Sequence, residues 1–212
     1  DYQIDAGKAQ EAKEYLLKVL NVNANFLLKD KDASYALAKR LYEHKLYDVA
    51  ARILDMLLEN TPITDEKREL WLKENGDWHA KAGEIEKAHK LYQEYLDKYR
   101  NGGEYVIEVK ERLDELFFKR NETNETVLSN YYDKLIENYT TNAIGEKALI
   151  EKAKLLLKQG AFKGVLELEE NLLKVSEAHG VKPEELIYEA AQFQAIKELE
   201  QGACQEVVGL VE

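Results

Sequence analysis

The stretch that decides the fold runs from residue 38 to residue 50. It reads Ala38-Lys39-Arg40-Leu41-Tyr42-Glu43-His44-Lys45-Leu46-Tyr47-Asp48-Val49-Ala50. After Ala50, apolar residues follow four, seven and eight positions later, at Leu54, Leu57 and Leu58. These spacings place the side chains on one face of a helix. The stretch therefore predicts two helices joined by a turn at residues 45–46.

The same pattern recurs along the chain. Its first position is held by Ala12, Ala50 and Ala88, spaced 38 residues apart, and then by Leu128, Val165 and Val207 after 40, 37 and 42 residues. In the fifth copy Glu169 takes an apolar position, whereas Leu172 and Leu173 keep theirs. Partner helices are predicted at 32–44, 66–82, 104–118, 145–159 and 184–201. Turns before the second helices are predicted at Gly7-Lys8, Lys45-Leu46, Gly83-Glu84, Thr123-Asn124, Gly160-Ala161 and Gly202-Ala203. Close helix approach is predicted at the small residues Ala38, Gly76, Ala153 and Ala195. A period that carries small and large residues together favours stacked helix pairs over the alternative, a non-repeating helical bundle.

Composition agrees with a helical protein and excludes several functions. The 212 residues are 45% hydrophobic and 33% charged, with only two prolines and eleven glycines, a balance typical of a folded helical chain. The formal net charge of −11 argues against nucleic acid as a partner, because phosphate binding needs a basic face. No stretch approaches about 18 consecutive apolar residues, so direct membrane insertion is not expected.

The predicted fold is all-α, a right-handed α-solenoid of stacked antiparallel helix pairs in one domain, 1–212. Its units are predicted at 1–24 (a second helix only), 32–62, 66–100, 104–140, 145–177 and 184–212, of which the last is incomplete. The chain begins at Asp1 without an initiator methionine, opens with a second helix that lacks its first-helix partner, and ends inside another second helix. We therefore expect a piece of a longer protein.

The repeated pattern resembles the tetratricopeptide repeat family, most clearly in two copies. The matching residues are Tyr47, Ala50, Leu54, Leu57 and Pro62 in one copy, and Gly76, Gly83, Ala88 and Tyr92 in the next. The resemblance covers essentially the whole chain, although the closing proline occurs once and the period exceeds the family's roughly 34 residues. It implies a superhelix that binds other proteins or peptide segments. Segments 92–99 and 132–139 are also similar to repeats of bacterial cell-envelope scaffolds.

The resemblance implies that partners bind a concave face formed by the first helix of each pair. Carried over position by position, this face comprises Tyr35, Lys39, Tyr42, Lys73, Asp77, Lys81, Lys154, Lys158 and Gln192. The lysines predict a local basic patch that attracts an acidic partner segment, with Tyr42 as the anchor. The alternative is an ordinary solvated helix face. The family's carboxylate clamp is not supported, because Tyr35 and Asp77 occupy two of its positions.

Residues that could carry catalysis or bind a metal form no recognised motif. The histidines are His44, His79, His89 and His179, and we interpret them as solvent-facing or half-buried. Glu86 and His89 make a single Glu-x-x-His, whereas a di-iron bundle needs two. Trp71 and Trp78, seven residues apart, indicate packing, and Cys204 is interpreted as a core residue. We therefore predict no enzyme, no cofactor and no metal.

Glycan acceptor patterns, Asn-x-Thr, occur at Asn121, Asn124 and Asn138. With Glu122 two residues before it, Asn124 also fits the stricter bacterial pattern, and it is a candidate glycosylation site in a predicted turn. The favoured interpretation of Asn124 is a helix cap.

The leading functional hypothesis is a non-enzymatic protein–protein interaction scaffold in a bacterial envelope machine, such as a flagellar motor or an assembly complex, with a periplasmic location. One alternative is a peptide-binding regulatory receptor domain, which would need a DNA-binding or catalytic module elsewhere. The alternative location is cytoplasmic, and the oligomeric state is left open.

Overall fold

The computed structural model describes residues 8–23, 25–140, 142–176, 180–203 and Val207. Throughout these residues the chain is helical or in turns and contains no strand, which confirms the all-α class. The helices form two compact units, Asp1–Arg120 and Asn121–Glu212. The predictions for His179, for Cys204 and for most of the sixth copy lie outside the described residues.

Seven helices build the described part of the first unit. They are α1 (Ala9–Asn23), α2 (Asn25–Leu28), α3 (Lys31–Glu43), α4 (Tyr47–Glu59), α5 (Lys67–Lys81), α6 (Ile85–Tyr99) and α7 (Val106–Phe117). Each helix from α3 to α6 packs on the next along the chain, and α5 also contacts α7. The helices predicted at 32–44, 66–82 and 104–118 are confirmed to within two residues. The short helix α2 was not predicted.

Small residues set the close approach of helices in the first unit. Ala38, Ala50 and Ala88 are completely buried. A β-carbon added to Gly76 on α5 would lie only 2.6 Å from Cδ1 of the Tyr92 ring on α6. Because Tyr92 is itself buried and its ring is enclosed by neighbours, only glycine fits at position 76 without a shift of the pair. The predicted small-residue packing is therefore confirmed here.

The second unit contains five described helices. They are α8 (Glu125–Asn138), α9 (Ala143–Lys158), α10 (Phe162–Leu166), α11 (Glu169–Leu172) and α12 (Pro183–Glu200). Helix α9 packs on α8, α10, α11 and α12, and the core includes Ala153, Val165 and Leu172, which are completely buried.

The second helix of the fifth copy is interrupted rather than continuous. It ends at Leu166 and resumes as α11 at Glu169, the residue that breaks the apolar pattern. The prediction that Leu173 lies on the packed face is wrong, because its side chain is 54% exposed. The break changes the rotation of the chain, so Leu172 enters the core and Leu173 does not.

Four helix ends share one turn geometry. After α3, α5, α9 and α12 a single residue adopts a left-handed conformation, and these residues are Lys45 (φ 63°), Gly83 (φ 82°), Gly160 (φ 67°) and Gly202 (φ 78°). At each turn the following N–H donates to the carbonyl oxygen five residues back, as Leu46 does to Leu41 at 2.9 Å. This is the Schellman motif, in which glycine is usual because a β-carbon is strained there. The predicted turns at these four places are confirmed.

Replacing Lys45 by glycine is expected to stabilise the first unit by about 1 kcal/mol, because it removes the strain of a β-carbon at positive φ. The matched control is Gly83→Ala. Its added β-carbon meets no atom within 4 Å, so it introduces the backbone strain alone and should cost about 1 kcal/mol. Urea unfolding monitored by circular dichroism measures both changes, and equal midpoints for Lys45→Gly and wild type would contradict the assignment.

The connection between the two units has a different geometry. Lys119 N–H donates to Leu116 O at 2.9 Å, residues 121–124 lie outside any helix, and the side chain of Asn124 caps the start of α8. The unit boundary therefore falls inside the predicted repeat 104–140, at the point where the repeated turn is replaced by a longer connection.

Candidate functional site

The predicted binding residues of the first unit lie on α3 and α5, around a buried tryptophan. Tyr35 and Tyr42, seven residues apart on α3, both stack on Trp78 of α5, with ring centroids 6.4 and 5.3 Å from it. Trp78 is 3% exposed, whereas both tyrosines are half-buried. Trp71 also packs against Tyr35, at 5.4 Å. The structure thus brings the two predicted tyrosines together as the outer layer of an aromatic cluster.

Polar contacts hold Tyr35 in place. Its hydroxyl donates to Glu74 Oε2 at 2.5 Å, and the Lys39 ammonium lies 5.7 Å from its ring centroid, within cation–π range. Burial, together with the hydrogen bond to Glu74, raises the pKa of Tyr35. The hydroxyl therefore stays protonated at neutral pH and remains a donor.

Lys73 belongs to an ionic network between α5 and α7. Its ammonium lies 3.0 Å from Asp77 and 2.8 Å from Glu108, and the side chain is 14% exposed. Partial burial lowers the pKa of Lys73, but the bonds to Glu108 and Asp77 outweigh burial and raise it. Lys73 is charged, and that charge is compensated within the unit. The expectation that Lys73 contributes to an open basic patch is therefore corrected.

Asp77 is a shared acceptor in the same network. It accepts the hydroxyl hydrogen of Tyr92 at 2.6 Å and lies 3.7 Å from the Arg112 guanidinium of α7. Asp77 therefore links α5 to α6 and α7, and we assign it to positioning these helices. Lys39 and Lys81, in contrast, are exposed and are the predicted cations that face solvent here.

The predicted binding residues of the second unit make local contacts. Lys154 pairs with Glu151 at 2.8 Å on the same helix, and Lys158 of α9 pairs with Glu125 of α8 at 2.8 Å. Gln192 is exposed on α12. No aromatic stack comparable to that of the first unit involves these three residues in the described part of the chain.

A buried polar cluster was missed by the sequence analysis. His79 is completely buried, with Nδ1 2.9 Å from Glu84 Oε2 and Nε2 3.0 Å from Asp55 Oδ1. Asp55 also accepts from Asn75 at 2.6 Å and from Lys87 at 2.5 Å. The interpretation of His79 as solvent-facing or half-buried is therefore wrong. The cluster joins α4, α5 and α6.

The other histidine motif pairs with arginine. Glu86 accepts from Arg120 Nε at 3.0 Å, and His89 Nε2 lies 3.4 Å from a second nitrogen of that guanidinium. His89 is half-buried and His44 is exposed. Over the residues that the structure describes, no three His, Cys, Asp or Glu side chains gather as a metal site requires.

Asn124 is confirmed as a helix cap. Its Oδ1 accepts from the N–H groups of Thr126 and Val127 at 3.0 and 3.3 Å. The side chain is exposed, and glycosylation at Asn124 stays a prediction.

No protein-family model matches the chain, and no curated protein sequence matches it. The tetratricopeptide resemblance therefore rests on the residues alone. Among the helices that the structure describes, none has both the length and the apolar character needed to span a bilayer.

Proposed function

We propose that this chain is a non-enzymatic scaffold that binds other proteins or peptide segments, and that its helix pairs stack as a right-handed, tetratricopeptide-like α-solenoid. Support comes from helices that pack on their sequence neighbours within each unit and from the recurrence every 37 to 42 residues. Stacked helix pairs present extended surfaces that suit protein recognition.

The aromatic layer on α3 and α5 is the observation that carries the proposal. Tyr35 and Tyr42 stack on a buried tryptophan, and part of each tyrosine side chain remains exposed. Because their rings are already held in place, a partner that covers them orders few additional rotamers. Large, rigid aromatic side chains of this kind are typical binding anchors.

The charge of the same surface favours an acidic partner segment. Lys39 and Lys81 are exposed on α3 and α5, whereas Lys73 is neutralised by Asp77 and Glu108. The chain as a whole carries a formal charge of −11, so these lysines are a local exception. Steering by exposed charges is screened by salt, and association should weaken as ionic strength rises.

The proposed setting is a bacterial envelope machine, such as a flagellar motor or an assembly complex, on its periplasmic side. This part of the proposal rests on the similarity of segments 92–99 and 132–139 and on the acceptor pattern at Asn124.

A photo-reactive amino acid at position 39 or 81 is expected to cross-link a protein partner in the native cell, whereas the same residue at position 90 on α6 should not. Lys90 is an exposed lysine like the other two, so it matches them in chemistry and differs in face. Mass spectrometry of the adducts identifies the partner. Adducts at position 90 without adducts at 39 or 81 would reject this surface, and capture of a short peptide would favour the receptor alternative.

Binding of the captured partner then tests the anchor. Tyr42→Ala should cost about 2 kcal/mol or more of binding free energy, as loss of a buried anchor does. Tyr42→Phe keeps the ring stacked on Trp78 and should retain most of the affinity. Calorimetry measures both, and a loss that is equal in the two variants would contradict the assigned role of the ring.

A further inference from the structure

An apolar groove lies between α1, α2 and α3 of the first unit. Its volume is about 510 Å³, and its walls are leucine and valine side chains. At its edge stand Tyr15, Val22 and Phe26, which are 65, 86 and 61% exposed. Lys18 is the one charged residue among the described residues that line it. Exposed apolar side chains grouped around an apolar groove are typical of a site that another structure covers.

A second apolar surface is exposed on α12. Tyr188, Ile196 and Leu199 are 66, 51 and 54% exposed, and with Gln192 they follow at spacings of four, four and three residues. These spacings form one stripe, here named the α12 stripe, about 16 Å long at the helical rise. The opposite face of α12 is buried through Leu186, Ala190 and Gln194. The exposed stripe and the buried face therefore lie on opposite sides of α12.

The groove and the stripe lie on helices that hold different positions in the repeat, a second helix and a first helix, which normally pack together. Helix α1 carries the pattern of a second helix, with Ala12, Leu16, Val19 and Leu20 in the repeated positions. Helix α12 stands in the position of a first helix. Inside the chain a first helix packs on a second helix in each pair, as α3 packs on α4 and α5 on α6. The stripe therefore resembles the kind of surface that a second helix normally contacts.

The charges of the two surfaces are complementary. Helix α12 carries five glutamates and one lysine, and Glu184, Glu185 and Glu189 are exposed beside Tyr188. The groove offers the exposed Lys18 at its edge. Opposite charges around an apolar contact favour this pairing over like-with-like contact of two grooves or two stripes, where equal charges would meet.

We propose that the α12 stripe of one copy of this chain docks in the α1 groove of a second copy, so that copies associate head to tail. The two surfaces are different, so each copy keeps one groove and one stripe free, and the contact is heterologous. Such contacts give open chains of copies unless the rotation between them closes a ring. This inference is independent of the proposed function, because none of the residues of the proposed binding surface on α3 and α5 lines the groove or belongs to the stripe.

Analytical ultracentrifugation of the full 212-residue chain, from about 1 μM to about 500 μM, tests the proposal. The expected result is a weight-average mass that rises with concentration. Ile196→Glu, which places a charge in the stripe, should weaken association at least about 30-fold. Circular dichroism checks the fold, which this exposed position should leave intact. A single monomeric species across the whole range would overturn the proposal.

A charge exchange tests the pairing itself. Lys18→Glu and Glu189→Lys should each weaken association about 10-fold, and the double variant should recover to within about threefold of wild type. Lys90→Glu on α6 makes the same charge change as Lys18→Glu on an exposed face outside the groove and should leave association unchanged. If Lys90→Glu weakens association as much as Lys18→Glu, or the double variant does not recover, the groove and stripe are not the contact.

Discussion

Replacing Gly145 by alanine is expected to unfold or severely loosen the second unit, with a cost of about 3 kcal/mol or more. Gly145 lies in the first turn of α9, directly against the backbone of Tyr139 at the end of α8. An added β-carbon would overlap the Tyr139 carbonyl oxygen and lie 2.7 Å from its carbonyl carbon. Backbone atoms cannot move aside as the end of a flexible side chain can. The two helices would have to separate, which would weaken the packing of α9 on α8.

The matched control is Gly164→Ala on α10 of the same unit. There the added β-carbon would meet Leu156 at 3.4 Å, an ordinary contact distance. Because the helix interior favours alanine over glycine, this change should be neutral or stabilise by about 0.5–1 kcal/mol. Hydrogen exchange resolved along residues 143–158 reports the stability of α9 separately from the first unit. Unchanged protection of α9 in Gly145→Ala would show that α8 and α9 do not approach as described.

Replacing His79 by alanine is expected to cost about 3 kcal/mol, because it removes a completely buried polar ring, leaves a cavity and takes a hydrogen-bond partner from Asp55. The ring stands between two carboxylates, Asp55 and Glu84, and each ring nitrogen lies within hydrogen-bonding distance of one of them. Without it, Asp55 loses a donor and a cavity opens between α4 and α5. His89→Ala is the control, because His89 is half-buried and its removal should cost much less.

The same cluster makes the stability of the first unit fall at acid pH. Burial alone raises the pKa of Asp55, but hydrogen bonds from His79, Lys87 and Asn75 outweigh burial and lower it to about 2. A carboxyl whose pKa is lower in the folded than in the unfolded chain stabilises the fold above the unfolded value of about 3.9. That contribution is lost as pH falls from about 4 to about 2.

Removing His79 should therefore raise the pKa of Asp55 and shrink this acid-dependent contribution. Carbon-13 NMR titration of the Asp55 carboxyl measures the pKa, and urea unfolding at pH 7 and near pH 3 measures the stability. An Asp55 titration that is the same in wild type and His79→Ala would contradict the network.

The helices of the fold were predictable from local chemistry. Apolar spacing fixes which residues of a helix can be buried together, and a glycine at positive φ ends a helix wherever the chain lies. For this reason the boundaries of α3, α5 and α9 and the turns at Gly83 and Gly160 followed from the sequence. Lys45 was also predicted as a turn, although its side chain gives no sign of the left-handed conformation.

Contacts between distant residues were not predictable in the same way. The sequence indicated Lys73 as a surface cation, but Glu108, 35 residues later, neutralises it. His79 contacts Asp55, which lies 24 residues earlier in the chain. No local sequence pattern indicates that contact. The aromatic layer did leave a signal, since the tyrosines on α3 and the tryptophans on α5 are both seven residues apart. That equal spacing predicts rings that face one another once the two helices lie side by side.

The packing of α3, α4, α5 and α6 each on the next helix of the first unit has a kinetic consequence. Contacts between sequence neighbours close short loops, so little chain entropy is lost before they form, and folding of such a topology is fast. If these pairs stack as proposed, each interface can nucleate folding and spread it to the next pair. His79→Ala weakens the contacts that join α4, α5 and α6. We therefore expect this variant to populate partly folded species when it is refolded from denaturant.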